Sequence, residues 1–168
     1  MTHETRFNAA QAHPGKSVVG RLLPGGDLIH GLEEVCDEFE LDYAAITFAY
    51  GSLSRASFQI LQPTDIEDRP ALAPFSMSRR VEFLGGQGLV CRDDSGNRAT
   101  HLHGSVSDEQ GVVRGGHFNP GENPIYNNLD FFLVELKGVT VTRVFDEETA
   151  TIEMVVEQDD TTAGKGGS

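Results

Sequence analysis

Two short stretches, His101-Leu102-His103 and Gly115-Gly116-His117, constrain this chain more than any other feature. Three of its six histidines fall there. In a strand, side chains alternate between faces, so His101 and His103 project the same way. Between them and His117, Glu109-Gln110-Gly111 suits a three-residue hairpin loop: a type I turn, then a glycine in the left-handed conformation as a bulge. That loop pairs Asp108 with Val112. Counting back along both strands sets His103 opposite His117. Directly opposed side chains share a face, with Cβ atoms about 4.5–5.5 Å apart, so the three imidazoles converge. A two-residue turn at Glu109-Gln110 would instead pair Leu102 with His117 and send His117 to the other face. Everything about the site depends on this register.

Three neutral imidazoles on one face suit a divalent transition metal, zinc first. Only three protein ligands would leave a position for water or substrate, the pattern of catalytic rather than closed structural centres. The duller reading is three ordinary histidines on a half-exposed strand pair, and the residues alone leave both open.

Composition narrows the setting. A chain of 168 residues, 38% hydrophobic and 23% charged, fits one soluble globular domain with its own core. It has no apolar run long enough to span a membrane. Met1-Thr2-His3-Glu4-Thr5-Arg6 lacks the apolar core of a signal peptide, so the cytoplasm is the expected location. Cys36 and Cys91 form no Cys-x-x-Cys. Cys36 sits on an apolar helical stripe and reads as a buried thiol, and a disulfide scaffold is not expected. Asp and Glu number 26 against 13 Lys and Arg, a net charge of −13. Nucleic-acid affinity comes largely from Lys and Arg neutralising phosphates, and no basic run occurs, so direct DNA binding by this domain is not expected.

Taken in order, residues 1–14 read as a loose N-terminal arm and 15–157 as the domain. Lys16 to Leu23 reads as a strand that Pro24-Gly25-Gly26 ends. Asp27 is a good N-cap. Leu28, Ile29, Leu32, Val35, Cys36 and Phe39 then recur at helical spacing, giving a helix over 28–39, with Glu33, Glu34, Asp37 and Glu38 on a solvated face. Tyr43 to Tyr50 is a buried strand, turned at Gly51-Ser52, with Ala56 to Leu61 as its partner. Residues 62–77, with Pro63, Pro70 and Pro74, form a long loop. Strands follow over 80–92 (bent at Gly85-Gly86), 98–107, 112–118, 129–136, 139–145 and 151–157. The tail, 158–168, is Gly/Thr/Asp-rich and expected to be disordered. The sum is an α+β domain: an antiparallel sheet of about eight strands with one main helix. Gly115 would lie opposite Ser105 on the histidine face and leave space for a ligand. Gly104 and Gly116 would lie on the other face, open to a subunit interface or to tight packing within the chain.

These residues carry a resemblance. Pro24-Gly25-Gly26-Asp27-Leu28, Tyr50-Gly51-Ser52-Leu53, Val81-Glu82-Phe83-Leu84-Gly85-Gly86 and His101-Leu102-His103-Gly104-Ser105, followed by Gly111-Val112-Val113-Arg114-Gly115-Gly116-His117, resemble the plants-and-prokaryotes-conserved (PPC) domain over about Lys16 to Val156. The resemblance implies a compact α+β subunit assembled as a homotrimer, with zinc on His101, His103 and His117, and a fold similar to acetolactate decarboxylase, a metal-dependent lyase. Plant members reach DNA through AT-hooks with an Arg-Gly-Arg-Pro core, which this chain lacks.

Three roles follow: a metal-binding trimer with a regulatory, DNA-associated or ligand-binding role, a zinc-dependent enzyme acting on a small carbonyl or carboxylate compound, or an oligomerisation module that recruits partners. An enzyme would need a general acid or base within reach of the substrate. Glu82 and Asp130 are candidates by family position, Asp130 standing where the family pattern has a glutamate. Arg143 and Arg114 could hold a carboxylate bidentately. For each of the four the duller reading is a strand-edge charge in a surface ion pair.

Overall fold

Asp27 starts the helix as its spacing to the apolar stripe demands. Its carboxylate accepts from the backbone N–H groups of Ile29 and His30, at 3.0 and 3.1 Å. The helix, α1, runs Leu28–Glu38 and buries Leu28, Ile29, Leu32 and Cys36. The structure, a computed structural model, describes residues 6–62 and 71–159. Around α1 stand the strands β1 (His13–Leu22), β2 (Ala44–Leu53), β3 (Ala56–Gln62), β4 (Ala71–Met77), β5 (Val81–Val90), β6 (Arg92–Asp93), β7 (His101–Ser107), β8 (Val113–Phe118), β9 (Ile125–Lys137), β10 (Val139–Asp146) and β11 (Thr151–Gln158).

Eight of them form one sheet in the order β1-β9-β2-β5-β7-β8-β3-β4, and its pairings are antiparallel. A smaller sheet has the order β11-β10-β6, with β10 and β6 parallel. The α+β class with one helix and an eight-stranded antiparallel sheet therefore stands.

The core sits between α1 and the large sheet. Phe58, Phe83 and Phe118 meet in its middle, with ring centroids 5.3 Å apart for Phe58–Phe118 and 5.2 Å for Phe83–Phe118. Each ring contributes about 1.5–3 kcal/mol by leaving water. A second, small cluster of Cys91, Val139 and Val141 joins β10 to the end of β5. Both thiols are free and buried, and burial raises each pKa to about 11.

Four sequence expectations change. First, Gly51-Ser52 does not turn the chain. Gly51 lies inside β2, where a Cβ would come within 2.2 Å of the Asn128 carbonyl oxygen on β9. The glycine serves a close strand approach, and β3 pairs with β4 and β8 rather than with β2. Second, the expected loop over 62–77 contains β4, an edge strand paired with β3 from Ala71 to Met77. Pro74 is tolerated there because an edge strand has N–H groups that need no partner in the sheet. Its neighbours 63–70 lie outside the described residues. Third, the acidic face of α1 is not simply solvated. Glu33 accepts from the Thr100 hydroxyl at 2.7 Å, and Asp37 from the Arg98 guanidinium at 2.6 and 3.0 Å. Fourth, part of the N-terminal arm is held along β11, where Asn8 exchanges side-chain hydrogen bonds of 2.6 and 3.0 Å with the Val156 backbone. The expected tail lies outside the described residues beyond Asp159.

Candidate metal centre

The turn that sets the site is built as its sequence dictates. The Asp108 N–H donates to the Val112 carbonyl at 3.2 Å, and the Gly111 N–H to the Asp108 carbonyl at 3.0 Å. Gly111 has φ +78°, the left-handed region in which a side chain would be strained. The Asp108 carboxylate also accepts from the Gln110 and Val112 N–H groups, both at 2.9 Å. With the loop fixed, His103 pairs with His117 and Ser105 with Gly115. Leu102 and Val106 enter the core, fully buried, so strand alternation turns His101 and His103 to the opposite face.

There the three rings meet. Their centroids are 4.9 Å apart for His101–His103, 4.8 Å for His101–His117 and 5.3 Å for His103–His117. One ring nitrogen from each falls within 4.8 Å of the others, and the Nε2 atoms of His101 and His103 are 3.0 Å apart. Zinc–nitrogen bonds of about 2.0–2.1 Å put two imidazole nitrogens on one tetrahedral ion about 3.3 Å apart. The donor set fits such an ion with small side-chain rotations.

The electrostatics favour the neutral form of two of the rings, His101 and His117. Burial first, then the Arg143 cation and the two neighbouring imidazoles, push the His101 pKa down to about 4. Burial, then His103 and Arg143, lower that of His117. Neutral imidazole is the metal-binding form. Thr100, pinned to Glu33 on α1, fixes the backbone just before His101.

The glycines do more packing than the sequence revealed. At Gly104 a Cβ would come within 2.7 Å of the Phe83 ring, so the close approach there is internal to the chain. At Gly115 it would meet the Gly104 carbonyl oxygen at 2.2 Å, so this position answers to the neighbouring strand as well as to open space.

Three clefts open on the triad. One of about 800 Å³ is lined by all three histidines together with Ile60, Leu61 and Leu72. One of about 460 Å³ touches His101 and His103, and one of about 250 Å³ touches His117. Arg143, from β10, borders all three. Of the four acid, base and anion-holding candidates, Arg143 alone lies at these clefts. Glu82 lines a separate cleft with Arg80, Tyr126 and Asn127. Arg114 lies over the Phe75 ring at 5.3 Å. Asp130 accepts from the Asn128 side-chain amide at 3.2 Å. Sequence reasoning missed Glu153 of β11, which lines two of the histidine clefts. The Asp146–Thr149 turn told of a hairpin carrying both Arg143 and Glu153, but no local signal said where that hairpin would lie.

A single-helix domain whose large antiparallel sheet presents three converging histidines defines the class: a small α+β protein with a candidate metal centre on its sheet. The chain belongs to the Plants and Prokaryotes Conserved (PCC) domain family, whose profile matches residues 9–137. It is 32% identical over 138 residues to the bifunctional protein GlmU of Synechococcus sp. (strain JA-3-3Ab), a match covering 82% of this chain. The chain spans about a fifth of the length of the curated relatives it matches.

Among solved structures it is similar to a metal-containing protein from Archaeoglobus fulgidus, with TM-score 0.76 and 24% identity over 89% of this chain and 99% of that one. A plant- and prokaryote-conserved protein from Pyrococcus horikoshii gives TM-score 0.71 and 21% identity over 87% and 96%. A candidate DNA-binding protein from Ralstonia eutropha JMP134 gives 0.67 and 20% over 81% and 88%. These likenesses are of fold. All three histidines fall inside the family match, whereas Arg143 and Glu153 lie beyond it.

Proposed function

We propose that the chain is a metal-dependent ligand-binding protein that holds a divalent transition metal, zinc first, on His101, His103 and His117. The observation that carries this reading is the convergence of three ring nitrogens within 4.8 Å on one sheet face, in a setting that lowers the pKa of His101 and His117. Such an ion, held by three protein ligands, supplies an open position that polarises a bound oxygen. The chain's own residues would bind and orient the ligand: Arg143 through its guanidinium, Leu61 and Leu72 through their apolar surface. The structural neighbour named as metal-containing supports a metal in this fold.

We further read the protein as a homotrimer working in the cytoplasm. Support for assembly is an exposed aromatic stripe on the large sheet, where Phe48 stacks on Tyr50 at 5.5 Å and on Phe132 at 6.0 Å, beside Val19, 74% exposed. Contiguous exposed apolar surface of this kind marks interfaces. Free buried thiols suit a reducing compartment. Among the described residues no helix is long and apolar enough to cross a membrane. A regulatory role that includes DNA would need a partner to supply the basic surface, since the chain carries −13.

The second reading, a zinc-dependent lyase or decarboxylase-like enzyme with an acetolactate decarboxylase-like fold, is favoured by one observation: beside the triad, a half-buried arginine with no acidic partner among the described residues. Calorimetric titration with zinc and magnesium, together with sedimentation of the loaded protein, tests the main reading. Zinc bound tightly, magnesium not at all and a mass of three chains are expected. Zinc bound no better than magnesium would contradict the centre, and a monomer at every concentration would contradict the trimer. Turnover of a small 2-hydroxy-3-oxo acid that stops in His103→Ala would move the balance to the enzyme.

A further inference from the structure

Arg143 is anomalous in this molecule. The chain has twice as many acidic as basic residues, yet among the described residues no carboxylate lies within ion-pair distance of it. Its one recorded hydrogen bond runs from Nη2 to the Ile152 carbonyl at 3.0 Å. Its Nε is buried and unpartnered. Glu153, the acid nearest in register, is turned aside: its carboxylate accepts from the Thr151 hydroxyl. A half-buried guanidinium left with a free donor is costly unless something supplies an acceptor.

The surroundings say what kind of acceptor. Arg143 borders all three clefts that open on the histidines. The wall of the large cleft on the other side is apolar: Leu61 and Leu72, paired across β3 and β4, and Ile152 from β11. Leu61 is 69% exposed, Ile152 56% and Leu72 48%, an unusual clustering of bare aliphatic side chains around a cationic head. A single arginine in a strongly acidic chain selects one negative charge over two. The guanidinium fork matches a carboxylate.

We propose that Arg143 and this apolar wall form the binding site for a small carboxylate bearing an aliphatic substituent. The carboxylate pairs with Arg143 beside the histidine centre, and the substituent lies along Leu61, Leu72 and Ile152. The proposal deepens the reading of the triad as a ligand-binding metal centre and rests on it for the identity of the centre. Arg143 and Ile152 lie on the β10–β11 hairpin, outside the residues matched to the family, whereas Leu61 and Leu72 lie within them.

The test uses the full chain, loaded with zinc and, separately, stripped with a chelator. Acetate, butanoate, hexanoate, hexanamide and inorganic phosphate are titrated in by calorimetry, with zinc content measured on the same samples. Hexanoate is expected to bind saturably, and tighter than butanoate by about two- to fourfold per methylene. Hexanamide, and hexanoate on Arg143→Gln, should bind at least about tenfold more weakly, and Arg143→Lys should recover part of the loss. Leu61→Ser, at an exposed position that leaves the core intact, should flatten the dependence on chain length. Equal binding of hexanoate by wild type and Arg143→Gln, equal binding of hexanoate and hexanamide, tighter binding of phosphate, or no saturable binding in either form would each overturn the proposal. A chain that takes no zinc yet selects hexanoate through Arg143 removes the metal reading and keeps the carboxylate site. A zinc-loaded chain without Arg143-dependent binding does the reverse.

Discussion

The β7–β8 hairpin and the β10–β11 hairpin both face the same clefts, but they arrive there by different physics. In β7–β8 the site is local. A three-residue loop with Gly111 at positive φ fixes the register, and the register alone puts His103 across from His117. In β10–β11 nothing local points at the histidines. That hairpin reaches them by a short parallel pairing of β10 with β6 and by a small apolar cluster around Cys91, Val139 and Val141. The first kind of site is written in turn chemistry. The second is written in long-range packing.

Breaking the local element should have the largest effect. Deleting Val113 keeps the three-residue loop but moves His117 one position along β8, opposite Gly104 and onto the other face. Zinc affinity in a calorimetric titration should then fall by at least about a hundredfold, more than the loss of an outer-shell partner causes, while the far-ultraviolet circular dichroism stays that of a β-rich fold. Unchanged affinity would mean that the register does not make the site.

Next in size is Gly104→Val. A Cβ there meets the Phe83 ring at 2.7 Å and the Gly85 carbonyl oxygen at 2.9 Å. Overpacking of this kind should lower stability to denaturant by about 1–3 kcal/mol. A neutral result would mean that the sheet yields where it looks tightest.

The distant element should be separable. Val141→Ala, in the small cluster, should cost about 1 kcal/mol and speed labelling of Cys91 by a thiol reagent, with zinc affinity unchanged. Loss of zinc binding in this variant would show that the two hairpins act as one unit.

The last effect is a pH dependence. Folded His101 titrates at about 4, below the ordinary imidazole value of about 6.5, and His117 is lowered in the same direction. The unfolded chain therefore binds more protons between these values. Stability of the metal-free protein should be fully present above pH 6.5 and fall as the pH drops from about 6.5 towards 4. Replacing His101 with Asn should flatten that slope. A slope that survives the substitution would place the titrating groups elsewhere.

What the sequence made legible follows the same division. Asp27 and its apolar stripe specified α1, and Glu109-Gln110-Gly111 specified the site-forming register, because each signal acts within a few residues of its effect. β4 was hidden by Pro74, which reads as a breaker until the strand is known to lie at an edge. Gly51 was misread as a turn because its true reason is the Asn128 carbonyl on β9, far along the chain. Glu153 gave no warning at all. Its alternation fits any half-exposed strand, and only the docking of the small sheet brings it to the histidines.

The central claim is that three histidines, brought together by one loop, hold a metal. The most direct test is elemental analysis of the chain expressed without a metal-binding tag, wild type beside His103→Ala. The account predicts about one zinc per chain in the wild type and none in the variant, whose exposed position leaves the fold intact. No metal in either protein after incubation with zinc, or equal zinc in both, would contradict it.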